Sequence, residues 1–549
     1  MKNPIIFLIF ILCTTPTLFS QGNIDSVSGT ISTLQIKQHL EFLANDIIGG
    51  RATGSIGAAL SAKYIALNLE KSGIMPAGDN STFYQYIPMH AAKPVASTQL
   101  KIHNHSNDYD LSLGKDFLMY GSGDRRYIPA QTPLVFAGYG IIAPEYDYND
   151  YENIDVDGKI VVILEGEPQS NSNDFFEGKA TSVYSYPGSK QRLALSRGAI
   201  GTIIIPIDEL NDSTAWGKHV NEFGFEDVYL AYSVTTTLNL LLNPHIVSGL
   251  FENSSHTWND VISFQKNNSM KSFNLTASLT YKGEFVRRDF IGQNVIGLIE
   301  GNDKELKNKS IIISAHYDHL GIGLPVDGDS IYNGAFDNAI GCAVLLELAD
   351  RLAQIKAELK RSVVLLFVTG EEKGLLGSRY YIDHPVFPLY ATAANVNIDG
   401  IPFIDKFNSI VAFGYDLSDI KNNIDRIAGQ LGLKVKDIPH QFTGSETFNR
   451  SDQIAFANAG IPSVLIMDGI DYINVSREEG LKKLINYAAN LYHSPKDDLS
   501  QNINYDAVRQ YADLMLRLIV DLTNSPVEPE WNPGTEYRII RLRSIAEQK

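Results

Sequence analysis

The chain has 549 residues, more than one ordinary hydrophobic core accommodates, so two or three domains are expected. Its formal net charge of −17 excludes nucleic acid as a partner, because phosphate binding needs a basic surface. Its 2 cysteines are Cys13 and Cys342; if the first is removed with a leader, no intrachain disulfide can staple the fold.

Lys2 precedes an apolar run from Ile5 to Cys13, followed by small and polar residues. At roughly half the ~20 residues needed to span a bilayer, this run reads as a signal peptide over residues 1–20. The mature chain is therefore expected to be secreted or periplasmic, with no transmembrane segment after cleavage. From Ser32 to Leu69 two helical patterns follow, carried by Leu40, Leu43 and Ala44 and then by Leu60, Tyr64, Leu67 and Leu69. The turn-rich IIGGRATGS lies between them.

From about Val95 to Lys282 the chain changes to short β-rich runs: Thr98–Ile102, Leu134–Phe136, Lys159–Leu164 and Gly201–Ile205. This predicts a separate α+β or mostly-β domain over 96–285. The acidic run DYNDYENIDVDGK fits no calcium template and is expected to be a solvated loop. After Asn294, strands and helices alternate: VIGLIE, Ile311–Ala315, a helix after Asp337, Val363–Val368, a helix at Leu375–Tyr381, NVNID, SVLIM, and helices at Leu481–Tyr492 and Ala507–Leu522. The expected fold class is α/β, a mixed sheet flanked by helices, built from 21–95 and 286–525 around the inserted β-rich domain. The prolines of SPVEPEWNPG predict an extended carboxy-terminal tail over 526–549.

Chemistry-bearing residues gather where the apolar runs end. His316 and Asp318 follow the Ile311 strand, Asp337 opens a helix that Asn338 can cap, and Glu371 and Glu372 follow Val368. Asp399 ends NVNID, and His493 ends the Leu481 helix. Beyond the carboxyl ends of an open α/β sheet these groups converge. Imidazole and carboxylate donors without cysteine favour zinc. Two zinc ions would be balanced by Asp337, Glu372, Asp399 and one hydroxide, which leaves Glu371 over as the acid/base that hydrolysis needs. Burial in a closed crevice should raise its pKa. His319 is weighed as an extra ligand and read as a site-lining residue. Ser494 lies in no nucleophile elbow.

The runs AHYDHLG, NGAFDNAIG, GEEKGLLGS, NID, SDQIAFANAGIP and YHSPKDD resemble, in order, the motifs of the co-catalytic zinc aminopeptidases, whose relatives include glutamate carboxypeptidase and the transferrin receptor. The resemblance implies two zinc ions per chain, with Asp337 bridging them and forming a cis peptide with Asn338. It implies that His316 and Asp399 complete one metal's ligands and Glu372 and His493 the other's. Asp318 matches the carboxylate that orients His316, and Glu371 matches the base acting on a metal-bridging water. GRATGS and GIMPAGD resemble the family's amino-terminal part. PLVFAGYGI, NIDVDGKIVVI and KQRLALSRGAIGTIII make the insertion similar to a protease-associated domain, which would shape substrate access.

Two departures stand out. Phe448 occupies the place where some secreted members have an oxyanion-stabilising tyrosine, and Gln453 replaces a histidine. The expected activity is a di-zinc metallo-exopeptidase acting on peptides, an aminopeptidase before a carboxypeptidase of the glutamate type. The latter would need an arginine patch, and no arginine cluster adjoins the motifs. A non-catalytic binding homologue would be marked by lost ligands, and none is lost.

Overall fold

The computed structural model describes residues 21–547 apart from 105–106, 171, 173, 177, 179–181, 208–214, 234–236, 401–403 and 440–446. The expected signal segment, residues 1–20, lies outside the described residues. Among the described residues no helix is long and apolar enough to cross a membrane.

A mixed sheet organises the chain. Its strands are β1 (Tyr84–Pro94), β2 (Asp227–Leu230), β3 (Phe285–Ile299), β4 (Ser310–His316), β5 (Ser362–Val368), β6 (Thr392–Asn397), β7 (Ser409–Phe413), β8 (Lys434–Val435) and β9 (Ser463–Asp468), arranged β2-β1-β3-β5-β4-β6-β9-β7-β8. Strands β5, β4, β6 and β9 run parallel, so their carboxyl ends open on one edge. Side-chain alternation divides their apolar runs between two layers. Ile311, Ile313, Val363, Leu365 and Phe367 join a core shared with the helices Thr33–Leu43, Ile56–Lys71, Ile340–Gln354 and Tyr505–Asn524, whereas Ile312, Val364, Leu366 and Val368 pack with Tyr381 and Phe456 on the other face. Each such side chain contributes about 1.5–3 kcal/mol by leaving water.

A second sheet of 8 strands takes its strands from the inserted stretch, beginning with Gln99–His103 and closing with Phe273–Lys282. Four of them, Thr132–Phe136, Ile160–Leu164, Gly201–Ile205 and Leu238–Leu242, are parallel neighbours. A long antiparallel ribbon joins the two sheets, β1 pairing with β3 from Tyr84↔Val295 to Pro94↔Phe285. The insertion also sends one strand back, because β2 pairs with Met89–Ala92 at the edge of the central sheet.

Several local expectations are corrected. In the helix Ile56–Lys71 the buried face is Ala58, Ala62, Ile65, Ala66 and Leu69, while Leu60 and Leu67 are exposed; small alanines let this helix lie close to its neighbours. The acidic run at 147–159 is not wholly solvated: Asp150 is buried and its Oδ2 accepts the backbone N–H groups of Tyr139 and Ile141. The tail is not extended throughout. Past the prolines, Glu536–Ala546 is an α-helix that buries Tyr537 and Arg541, with Arg541 Nη1 donating to the Leu389 carbonyl at 2.8 Å. The residues EYRIIRLRSIA contain no breaker, so the proline argument does not reach them.

Candidate metal centre

Strand ends deliver His316, Glu371, Glu372 and Asp399, while Asp337 precedes the Ile340–Gln354 helix and His493 follows the Arg477–Asn490 helix. His316 ends β4; its Nε2 lies 3.2 Å from Asp337 Oδ1 and 3.4 Å from Asp399 Oδ1. Asp337 turns its other oxygen away from this group. Asp337 Oδ2 lies 3.2 Å from His493 Nε2, which is itself 3.1 Å from Glu372 Oε2. One carboxylate is thus shared between two donor sets, His316 with Asp399 and His493 with Glu372.

These separations test whether a cation fits. Two ligand atoms about 2.1 Å from one tetrahedral zinc stand about 3.4 Å apart, close to all four distances. Hydrogen bonding does not explain the contact at the second set, since the buried Asp337 Oδ2 and His493 Nε2 are both without a hydrogen-bond partner. Atoms of this kind, held out of water and unpaired, are costly unless a cation lies between them. The donors fit two divalent ions of the zinc type.

The backbone around Asp337 is built to present it. The Asp337–Asn338 peptide is cis, as the resemblance implied. Asp497, within YHSPKDD, accepts from Phe336 N at 2.9 Å and from Asp337 N at 3.1 Å, clamping the loop. Asn338 does not cap the following helix; its Nδ2 donates to the Ile398 carbonyl at 2.7 Å, tying the loop to the end of β6 next to Asp399. Gly334, at φ +59°, precedes this turn.

Asp318 is fully buried and joins three parts of the site. Oδ2 accepts from Thr53 Oγ1 at 2.9 Å and Oδ1 from Glu371 N at 3.2 Å. Toward His316 Nδ1, the Asp318 backbone carbonyl at 3.2 Å is closer than its carboxylate at 3.9 Å. Asp318 therefore holds the imidazole through its main chain and the Glu371 amide through its side chain. Gly370, at φ +72°, makes the turn that opens the short helix carrying Glu371 and Glu372.

Their environments separate the two glutamates. Burial, reinforced by Glu372, Asp452 and Asp399, pushes Glu371 well above the usual carboxylate range although His316 opposes it. Burial and Asp337 also disfavour ionised Glu372, but His493 and His319 outweigh them and hold its carboxyl below that range. Opposite shifts in adjacent carboxyls suit a proton-transfer group beside a ligand.

Sequence reasoning passed over Arg51, Thr53, Asp452, Tyr492 and Asp497. Asp497 and Asp452 stood within quoted motifs, which was the available signal. Asp452 is fully buried at the head of the Gln453–Asn458 helix, and burial pushes its carboxyl up to about 7. Tyr492 stacks on His493 with ring centroids 3.9 Å apart. The two departures have structural uses: Gln453 Nε2 donates to the Phe448 carbonyl at 2.7 Å while its Oε1 accepts from Asn397 Nδ2 at 3.0 Å, so Gln453 braces the Phe448 loop against β6.

Residues 294–519 match peptidase family M28. The chain is similar to a probable leucine aminopeptidase 2 of Aspergillus oryzae, 29% identical over 232 residues, and to Aminopeptidase YwaD of Bacillus subtilis, 23% identical over 241 residues. These alignments cover 39% and 43% of this chain and 41% and 46% of the relatives, so the chain spans less than half the length of the curated relatives it matches. An aminopeptidase from Aneurinibacillus sp. strain AM-1 has a similar structure, with a TM-score of 0.55 over 93% of this chain and 97% of that one at 17% identity. That likeness shows a shared mixed α/β fold.

Proposed function

We propose that the chain is a secreted di-zinc exopeptidase that removes amino-terminal residues from peptides. The observation that carries this reading is the division of Asp337 between two donor sets whose atoms lie 3.1–3.4 Å apart, two of them buried without partners. His316, Asp337 and Asp399 would hold one zinc, and Asp337, Glu372 and His493 the other. Zinc in such a site polarises a peptide carbonyl and makes water acidic enough to be deprotonated near neutral pH.

The remaining work belongs to the chain's own groups. Glu371 takes the proton of the attacking water on its carboxylate and returns it to the departing amine nitrogen; its raised pKa suits both transfers. Asp318 fixes the Glu371 backbone and the His316 ring at once. Phe448 has no hydroxyl to offer an oxyanion, so its side chain supplies no hydrogen bond there and bound zinc would have to supply that stabilisation. Residues 96–285 act as a protease-associated lobe beside the crevice, and residues 1–20 as the cleaved secretion signal.

The relatives named as aminopeptidases support amino-terminal over carboxy-terminal cleavage. A panel of aminoacyl substrates and carboxy-terminal dipeptides decides it. Chelator-sensitive release of free amino-terminal residues is expected, and release confined to carboxy-terminal residues would overturn the assignment.

A further inference from the structure

His319 is fully buried within the candidate centre, yet neither donor set needs it. Its Nδ1 lies 2.6 Å from Glu372 Oε1 and 3.8 Å from Asp337 Oδ2. The shorter distance decides between two roles. Ligand atoms on one tetrahedral zinc stand about 3.4 Å apart, whereas an N–H···O⁻ hydrogen bond is shortest near 2.7 Å. His319 and Glu372 therefore form a hydrogen bond and do not share a cation. An ionised carboxylate only accepts, so the proton is on Nδ1. Nε2 is buried without a hydrogen-bond partner among the described residues, so the contact to Glu372 is the ring's one hydrogen bond there.

The surroundings are arranged to hold this ring in place. His319 N donates to the Arg51 carbonyl at 3.3 Å, and Ala52 and His319 form a bridge. The buried Arg51 guanidinium donates to the carbonyls of Tyr317 at 2.7 Å, Asn333 at 2.5 Å and Gly334 at 2.9 Å, tying together the two segments that flank the imidazole. A Cβ at Gly334 would stand 2.5 Å from His319 Cγ, so only glycine leaves room for the ring. The GRATGS segment thereby reaches the metal centre through His319.

We propose that His319 is a positioning residue which, by donating Nδ1–H to Glu372 Oε1, commits Glu372 to a single-oxygen contact through Oε2 and so sets the affinity of the metal shared with His493. The inference rests on the reading of Glu372 as a ligand. Groups that orient a ligand in this way change metal affinity by about 10- to 100-fold when removed. The effect should be confined to one metal, because His316 and Asp399 do not touch His319.

Competition of zinc against a chromophoric chelator, with the full mature chain stripped of metal, tests it without reference to turnover. The wild type is expected to bind two zinc ions. His319→Ala should weaken one of them by about 10- to 100-fold and leave the other unchanged. His319→Asn, whose amide nitrogen falls near the position of Nδ1, should recover most of the loss, and His319→Gln, whose amide extends past it, should not. Wild-type affinities in His319→Ala would overturn the proposal, as would loss of the same metal in His319→Asn to the extent seen in Glu372→Gln, since His319 would then be a ligand. A wild type binding fewer than two zinc ions would instead sink the two-metal reading and this proposal with it.

Discussion

Both sheets end in a cluster of buried polar groups beyond the carboxyl ends of parallel strands, but the two clusters differ in what they leave unpaired. In the inserted lobe, Lys190 Nζ donates to the carbonyls of Tyr139 at 2.8 Å, Leu164 at 3.0 Å and Gly166. Asp150 accepts two backbone N–H groups on Oδ2 and the Tyr148 hydroxyl on Oδ1 at 2.8 Å. Lys190 and Asp150 each find their partners inside the lobe. At the central sheet, Asp337 Oδ2 and His493 Nε2 stand close together, buried and unpaired. The lesson is that position at a strand end does not make a site. A ligand belongs where carboxylate and imidazole atoms converge buried and unpaired, not where a lone phenol oxygen lacks a hydrogen bond, as at Tyr139 and Tyr151 in the lobe.

This contrast can be broken in graded steps. The largest effect is expected from Glu371→Gln, which keeps shape and removes proton transfer: kcat should fall by about 10² to 10⁴ with zinc content unchanged. Loss of zinc with retained turnover on the remaining metal would show that base and ligand are assigned the wrong way round in this pair. The pH profile sharpens the point. Glu371 must be ionised to act, and its pKa is raised, so kcat/KM should fall as pH drops through a value above the usual carboxylate range of about 4.3. The acid limb should vanish in Glu371→Gln.

In the lobe the opposite pattern is expected. Lys190→Met leaves three carbonyls without their donor and should cost about 4 kcal/mol, read as a lower unfolding midpoint and faster hydrogen exchange over 132–242, with zinc affinity unaltered. A change in zinc stoichiometry would break the separation of the two clusters. Asp497→Asn should have a smaller effect. It loses one of the two hydrogen bonds that clamp Phe336 and Asp337, about 2 kcal/mol, and should loosen both metals together; weakening of only one would place the clamp elsewhere.

The contrast also explains what could be read from the chain. Short apolar runs such as Ile311–Ala315 and Val363–Val368 fit strands covered on both faces, so the residues following them could be read as an edge cluster. His316 and Glu372 could be singled out in this way, whereas Asp337 and His493 were read from the start and end of helical patterns. Thr53 and Arg51 were not, because their partners lie hundreds of residues away; the Thr53–Asp318 bond spans 265 positions. Asn338 showed the limit of local rules: its side chain fits a helix cap, but the Ile398 carbonyl, fixed by tertiary packing, takes it. The tail helix was hidden behind its prolines, and Asp150 behind an acidic composition that gave no sign of the backbone amides waiting for it.

The claim on which the rest depends is that Asp337 is shared between two metals. Elemental analysis of the fully active mature chain, paired with activity as zinc is returned to the stripped protein, tests it directly. The account requires two zinc ions per chain and an Asp337→Asn variant that retains neither at wild-type affinity. Full activity with one equivalent or none would contradict it.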